Sequence, residues 1–301
     1  MPRAPAVLRP VREVELAPAG ARYDPRRVLR TPLRALRGGD HGLVVGFGWR
    51  APSLVITVLA RGDASDDDVA FAIEAGRGIA AVDDDPDPFV AMVAEHPLLG
   101  KLARAHDLRM SRSPTLFESL ARGIIEQLVT TAEAMASIGR LWGIAGERVT
   151  GTELRAAPTA AAVRRVPMWK MHAIGVGSRR AATLHELAGR GAAIERLRAL
   201  PPAEVIDKLV SLRGIGPWTA NLAVDRGMGY PDAVPVGDLH APRIITRTLT
   251  GEDGGDDATM LEALEPFRPH RARAARLVMR SAERDRPRPR VDPHRREPWK
   301  Y

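Results

Sequence analysis

The pattern of apolar residues changes near Pro97, and this change limits the folds that are open to the chain. Before it, short β-branched runs at 42–49 and 54–59 are separated by turn residues, which predicts an antiparallel sheet. After it, segments rich in Ala, Leu and Arg carry helical spacing and are separated by Gly and Pro. We therefore predict an α+β protein, with a small antiparallel β-rich N-terminal domain at 1–97 and a mainly α-helical domain at 98–285.

Two acidic stretches and a charged C-terminal segment lie outside the predicted core elements. The three aspartates at 66–68 precede an apolar helical pattern, and a second acidic stretch with prolines spans 83–88. We interpret both as solvated helix caps and loops rather than as metal ligands. Residues 286–301 alternate charge with proline, which predicts a disordered basic tail because such a segment cannot bury enough apolar surface.

The composition narrows the classes of partner and site. The 301 residues carry a formal net charge of +8, which favours a polyanionic partner such as nucleic acid. The chain contains no cysteine, which excludes disulfides, cysteine nucleophiles, cysteine-ligated zinc and iron–sulfur clusters. No apolar run has the length of a signal peptide or a membrane span, so we expect no membrane partner and a cytoplasmic, nucleoid-associated location.

The most informative segment is 212–223, in which Gly214, Ile215 and Gly216 separate two helical patterns. Glycines in a tight hairpin let the backbone approach a phosphate, and the N–H groups of the following helix, which contains Thr219, then point at it. The segment therefore predicts a helix–hairpin–helix that binds the DNA backbone. Any turn between helices can use glycine, so a purely structural turn remains open on this pattern alone.

Three further segments stand in a fixed order around the hairpin. Residues 122–130 form an apolar helical pattern before it, and the segments 234–240 and 266–272 follow it. Together they resemble the helix–hairpin–helix, Gly/Pro-Asp superfamily of base-excision DNA glycosylases. The Trp-Thr-Ala sequence that continues the hairpin is similar to the 3-methyladenine glycosylase II branch, whose members carry a small β-rich domain at the N-terminus.

The resemblance implies that Asp238 is the catalytic residue. Cleavage of an N-glycosidic bond develops positive charge on the sugar, and a carboxylate in a desolvated pocket can stabilise that charge and orient water. Asp238 also stands where the N-cap of a helix is expected, so a capping role is the alternative.

The hairpin also bears on the reaction type. Bifunctional members of the superfamily carry a hairpin lysine that forms a Schiff base with the sugar, whereas this chain has Pro217 and Trp218 in the matching stretch. Without that amine, lyase activity is not expected. The lack of cysteine separates the chain from the branches whose members hold an iron–sulfur cluster.

The aromatic residues supply candidates for the base pocket. An alkylated purine is electron-poor and stacks on an electron-rich ring, for which we predict Trp218 and Trp169. Packing beside the tight turn is the alternative for Trp218. We interpret Trp142 and Trp49 as core residues. Arg180 replaces a lysine that is usual in the family, which keeps the charge.

A side chain must fill the gap that a flipped base leaves in the duplex. Leu128, directly after Gln127, matches the wedge leucine of the family. The alternative is that Leu128 only continues the apolar helical face that begins at Phe117. Glu126 departs from the family, which commonly has glycine there.

These predictions combine into a monofunctional DNA glycosylase that hydrolyses the N-glycosidic bond of alkylated bases, of the 3-methyladenine and 7-methylguanine type, in base excision repair. We expect a monomer that binds double-stranded DNA with damaged bases and uses no cofactor. No metal site is predicted, although the resemblance implies that hairpin carbonyls can hold a monovalent ion. Two alternatives remain open: a glycosylase for oxidised, deaminated or crosslinked bases, and a non-catalytic DNA-binding module.

Overall fold

The computed structural model describes residues 8–20, 23–29, 33–37, 42–60 and 64–285. Over these ranges the chain forms a four-stranded antiparallel sheet followed by a helical part, as predicted. The predicted basic tail lies outside the described residues. Among the helices described, none combines the length and apolar character needed to cross a membrane.

The sheet has the strand order β1-β4-β3-β2, and all neighbouring strands are antiparallel. The central pair, β3 and β4, is joined by a two-residue turn, since Arg50 pairs with Ser53 across it. The sequence pattern predicted these two strands but not the short strand β2. The strands are β1 (Arg9–Leu16), β2 (Leu33–Leu36), β3 (Leu43–Arg50) and β4 (Ser53–Ala60).

The remaining chain is helical, with the two helices of the predicted hairpin at α11 and α12 and single 3-10 turns at Leu197–Ala199 and Glu265–Phe267. The helices are α1 (Pro25–Val28), α2 (Asp66–Ile79), α3 (Asp87–Met92), α4 (Leu99–Ala105), α5 (Leu116–Glu126), α6 (Thr131–Ala145), α7 (Ala160–Arg164), α8 (Met168–Ala173), α9 (Ser178–Ala188), α10 (Gly191–Arg196), α11 (Pro202–Val210), α12 (Pro217–Met228), α13 (Ala241–Thr250), α14 (Asp257–Leu264) and α15 (Arg271–Asp285).

Helix α2 packs on the sheet through a position that has no side chain. A Cβ atom added at Gly76 would lie 3.1 Å from carbon atoms of both Ile56 and Val45, so glycine permits the close approach of helix and sheet. The N-cap of the helix is Ser65, whose hydroxyl accepts a hydrogen bond from the backbone N–H of Asp68 at 3.1 Å. The three aspartates interpreted as caps lie in the first turn of the helix instead.

Beyond the sheet, the helices form two apolar cores. We call residues 116–230 the first lobe, in which α5 packs along α12 and the side chains of Leu120 and Ile124 are fully buried. We call residues 89–108 together with 234–278 the second lobe, whose core joins residues that precede the first lobe to residues that follow it. The first lobe is therefore inserted between two parts of the second. The predicted domain boundaries remain a prediction.

Buried arginines connect the second lobe to the region of the sheet. The side chain of Arg273 is 1% exposed and donates hydrogen bonds to both carboxylate oxygens of Asp84 and to the carbonyl of Leu108. Arg109, also buried, donates to the carbonyls of Ala19, Ala81 and Asp84. The interpretation of the second acidic stretch as a solvated loop is therefore wrong for Asp84, because its carboxylate is 17% exposed and forms an ion pair with a buried guanidinium.

The two tryptophans interpreted as core residues differ in their surroundings. Trp142 is half-buried and packs against the core of the first lobe, as expected. Trp49 is 40% exposed and stacks on the ring of Tyr23, with 5.6 Å between the ring centroids, so its assignment to the core is wrong. The alternation of residues along a strand does not show whether an aromatic side chain lies in the core or stacks on another ring while partly exposed.

Candidate active site

The hairpin between α11 and α12 has the conformation that its glycines favour. Gly214 has φ +84°, and a Cβ atom there would lie 2.5 Å from the hydroxyl of Thr183, so only glycine fits. Gly216 is exposed, and a Cβ atom there would meet nothing within 4 Å. Helix α12 starts directly after Gly216. The N–H groups of the first helical turn have no partner within the helix, and they follow this exposed glycine. This geometry suits the predicted contact with a phosphate.

Two of the predicted hairpin residues turn their side chains inward. The side chain of Ile215 is buried in the core of the first lobe, and that of Thr219 is buried beneath the hairpin. Any contact that these two residues make with DNA would therefore come from the backbone.

The segment after α5 is tied to the hairpin by Gln127. Its amide Nε2 donates to the carbonyl of Gly214 at 3.1 Å and to the hydroxyl Oγ1 of Thr219 at 2.9 Å. Gln127 is the C-cap of α5, so the helix ends before Leu128. The hydrogen bonds bring the predicted wedge segment and the predicted hairpin together.

Leu128 stands out from the surface. It is 99% exposed and has φ +53°, which is costly for a residue with a branched side chain. The alternative that Leu128 continues the apolar face of α5 is wrong, because the helix has ended and the side chain contacts almost nothing. The exposure agrees with the predicted wedge, which remains a prediction.

Asp238 lies in the loop that leads into α13, half-buried, with both carboxylate oxygens engaged. Its Oδ1 accepts hydrogen bonds from the backbone N–H groups of His240 and Ala241, each at 2.8 Å. Its Oδ2 accepts a hydrogen bond from the indole Nε1 of Trp218 at 3.0 Å. Oδ1 therefore binds the backbone at the start of α13, although the N-cap residue of that helix is His240 and not, as the alternative predicted, Asp238. Oδ2 binds the indole N–H of Trp218.

The hydrogen bond between Trp218 and Asp238 spans the two lobes. Trp218 is the second residue of α12 in the first lobe, whereas Asp238 precedes α13 in the second. The structure thus brings together Asp238, one of the two predicted pocket tryptophans, and, through Gln127, the predicted wedge segment.

Sequence reasoning missed two features of the loop that carries Asp238. Leu239, the next residue, is 86% exposed, and its signal was an apolar residue directly after the carboxylate. Gly237, the preceding residue, has φ +87° and donates its N–H to both carboxylate oxygens of Asp257. No local pattern indicated the second contact, since Asp257 belongs to another helix.

Trp169, the other pocket candidate, lies on α8 and is 69% exposed. The turn that follows α8 is joined to α5, because Arg180 donates to the carbonyl of Ile125 at 2.5 Å and to that of Gly175 at 3.2 Å. Within the described residues, no hydrogen bond or ring contact joins Trp169 to Asp238. Its place in a base pocket remains a prediction.

An ion pair fixes the end of α5 to α12. Both carboxylate oxygens of Glu126 accept hydrogen bonds from Arg226 at 2.8 Å. Burial holds the pKa of the neighbouring Arg122 below its ordinary value, and the positive charge of Arg226 lowers it further. Glu126, where the family that the sequence resembles commonly has glycine, therefore links α5 to α12.

The described residues contain no group of three or more His, Cys, Asp or Glu side chains that could hold a metal ion. The predicted monovalent ion would use hairpin carbonyls. The carbonyl of Gly214 accepts from Gln127, and that of Leu212 accepts from the N–H of Ile215 at 3.1 Å. Each oxygen keeps a second lone pair, so the hairpin is compatible with an ion, which remains a prediction.

Comparison with known proteins finds relatives, although no family model matches the chain. A "DNA-3-methyladenine glycosylase" of Bacillus subtilis (strain 168) is 29% identical over 180 residues, which cover 54% of this chain. The match spans 57% of that protein's length, so the chain covers little more than half of this curated relative.

Solved structures match over more of the chain and show the fold. A 3-methyladenine DNA glycosylase from Archaeoglobus fulgidus has a TM-score of 0.73 at 20% identity, covering 91% of this chain and 99% of that one. The 3-methyladenine DNA glycosylase Mag1 of Schizosaccharomyces pombe, solved in complex with abasic DNA, has a TM-score of 0.56 at 22% identity. That match covers 65% of this chain and 97% of the other.

Proposed function

We propose that this chain, a member of the helix–hairpin–helix superfamily of base-excision DNA glycosylases on its 3-methyladenine glycosylase II branch, removes alkylated bases from DNA by hydrolysis. The observation that carries the proposal is the hydrogen bond from Trp218 to Asp238. It sets a carboxylate beside an aromatic ring at the start of the helix that follows the hairpin. A flipped base and its sugar require both groups at one place.

In the proposed reaction, the bond between C1′ and the base nitrogen breaks, and its electron pair leaves with the base. The carboxylate of Asp238 stabilises the positive charge that develops on the sugar. A water molecule then forms a bond to C1′, and Asp238 accepts a proton from it. An alkylated purine of the 3-methyladenine or 7-methylguanine type carries positive charge, so it leaves as a neutral base without a proton donor.

Trp218 has two roles in this proposal. Its indole Nε1 holds Oδ2 of Asp238, so the carboxylate is oriented before the substrate arrives. The face of its ring offers a stacking surface that favours an electron-poor or cationic base. Because Trp218 belongs to the hairpin segment where bifunctional relatives have a lysine, we propose that the product is an intact abasic site.

DNA would bind through backbone contacts at the hairpin, supported by the net charge of +8. The exposed Leu128 would fill the gap left by the flipped nucleotide, and Gln127 would hold Leu128 next to the hairpin. We propose that the partner is double-stranded DNA with damaged bases, and that the protein acts as a monomer at the nucleoid.

The test is the Asp238→Asn substitution, which keeps the size of the side chain and removes its charge. Single-turnover release of 3-methyladenine from methylated DNA should fall by about two to four orders of magnitude, with DNA affinity retained. The matched control is Asp207→Asn, an exposed aspartate on α11, which should release bases at the wild-type rate. Near-normal turnover by the Asp238→Asn variant would show that Asp238 is not the catalytic residue.

A further inference from the structure

The loop that carries Asp238 is held by a side chain from another element, helix α14. Gly237 has φ +87°, a backbone conformation that residues with a side chain rarely adopt. Its N–H group donates to Oδ1 of Asp257 at 2.9 Å and to Oδ2 at 3.1 Å. A single peptide N–H is therefore shared by both oxygens of a carboxylate that belongs to helix α14.

The carboxylate of Asp257 is not the cap of its own helix. That role belongs to Asp256, whose Oδ1 accepts a hydrogen bond from the backbone N–H of Thr259 at 3.0 Å. The hydroxyl of Thr259 in turn accepts from the N–H of Asp256 at 2.9 Å. Because Asp256 already caps the helix, both oxygens of Asp257 can accept the hydrogen bond from the neighbouring loop. The N-terminus of α14 also favours the negative charge of the Asp257 carboxylate.

Gly237 directly precedes Asp238, so the hydrogen bonds of Gly237 to Asp257 help to fix the position of the backbone from which the carboxylate of Asp238 extends. The loop holds Asp238 by its own backbone, since the N–H of Asp238 donates to the carbonyl of Pro235 at 3.1 Å. A glycine next to the reacting group has more backbone freedom than any other residue. The contact with Asp257 limits that freedom at the point where it would displace the carboxylate from Trp218.

We propose that Asp257 is a positioning residue for Asp238, acting through Gly237. The proposal rests on the proposed glycosylase function for its kinetic consequence, and on the geometry alone for its effect on the loop. Displacement of a catalytic group by about 1 Å can cost up to about a hundredfold in rate. Asp257 itself would contact neither the sugar nor the base.

The kinetic test compares Asp257→Ala, Asp257→Asn and a matched control, Glu262→Ala, which removes an exposed acidic side chain from the same helix. Asp257→Ala should lower single-turnover base release by about tenfold to a hundredfold, with unchanged DNA affinity. Asp257→Asn keeps an acceptor for the N–H of Gly237 and should restore most of the rate. Glu262→Ala should match the wild type.

A second readout separates positioning from recognition of the base. Because Asp238 acts on the sugar, Asp257→Ala should slow the release of 3-methyladenine and 7-methylguanine by the same factor. A changed ratio of the two released bases would place Asp257 in the base pocket instead and overturn the proposal. The proposal would also fail if Asp257→Asn were as slow as Asp257→Ala, since charge rather than the anchoring bond would then matter.

A third readout does not depend on activity. The indole N–H resonance of Trp218, assigned with Trp218→Phe, reports whether Asp238 still accepts its hydrogen bond. Asp257→Ala should shift this resonance and speed its exchange with solvent, whereas Glu262→Ala should leave it unchanged. An unchanged resonance would refute the positioning role. A wild-type protein that releases no methylated base would instead refute the proposed function, and the resonance would still decide the role of Asp257.

Discussion

The two lobes contribute to the site in different ways. The first lobe supplies the hairpin, Leu128 and Trp218 from a core in which α5 and α12 pack closely. The second supplies Asp238 from a core that is assembled from two distant parts of the chain and joined to the sheet region by buried arginines. The groups proposed to act together therefore come from separate cores. Neither core alone determines the distance between the indole and the carboxylate.

Hydrogen bonds between elements therefore connect the groups that are proposed to act together. Gln127 joins the segment after α5 to the hairpin, Trp218 joins the first lobe to the second, and Asp257 joins α14 to the loop of Asp238. Substitutions that remove one of these hydrogen bonds should lower the rate of the reaction more than the stability. Substitutions of the buried arginines that join the second lobe to the sheet region should lower the stability more than the rate.

Loss of the buried ion pair between Arg273 and Asp84, which joins the second lobe to the region of the sheet, should lower the stability most. Arg273→Met leaves the carboxylate of Asp84, which is 17% exposed, without its charged partner. We expect the free energy of unfolding, measured in urea, to fall by about 3 to 5 kcal/mol. The control is Arg247→Met, which removes an exposed ion pair with Asp253 in the same lobe and should cost at most about 1 kcal/mol. Equal losses would show that the buried pair is not an anchor.

A smaller effect is expected from breaking the bond between the lobes. Trp218→Phe keeps an aromatic face and removes the donor to Asp238. A hydrogen bond to a charged group is worth about 1.5 to 3 kcal/mol, so single-turnover base release should fall by about tenfold to a hundredfold.

The matched control for that substitution is Trp142→Phe, which alters a half-buried tryptophan of the first lobe that has no bond to the carboxylate. It should change stability and leave the single-turnover rate as it is. If Trp218→Phe released bases as fast as the wild type, the hydrogen bond between the lobes would have no part in catalysis.

The smallest effect concerns the pH dependence of the second lobe. Burial lowers the pKa of His270 below its ordinary value, and Arg273 lowers it further, while Asp84 and Asp232 oppose the shift. The folded state thus favours the neutral imidazole. Stability should be level above about pH 6.5 and fall as the pH drops below that value, until the lowered pKa of the folded state is passed.

Urea unfolding at a series of pH values measures this slope, and His270→Gln should flatten it. His172→Gln, which alters an exposed histidine of the first lobe, should retain the wild-type slope. A slope that survives in the His270 variant would assign the pH dependence to other groups.

Local patterns in the sequence predicted much of the fold and part of the site. The β-branched runs indicated β3 and β4, and the two glycines indicated the hairpin, because both signals depend on neighbouring residues. The loop position of Asp238 before a helix followed from the same kind of local signal. The strand β2, only four residues long, gave no comparable pattern.

The rest depended on contacts between distant parts of the chain. Periodicity extended the helix of α5 through Leu128, whereas the helix ends where Gln127 turns to bind the hairpin. Asp84 belonged to a stretch interpreted as solvated, but its partner Arg273 lies 189 residues further along the chain. No local rule identifies such partners, so burial of the pair could not be predicted.

Whether the chain removes alkylated bases by hydrolysis is decided by the products that it forms from methylated DNA. The freed bases are separated by chromatography, and the DNA is examined for strand breaks before and after alkali. We predict free 3-methyladenine or 7-methylguanine, with strand breaks only after alkali treatment. Strand cleavage without alkali, or no release of a methylated base, would contradict this prediction.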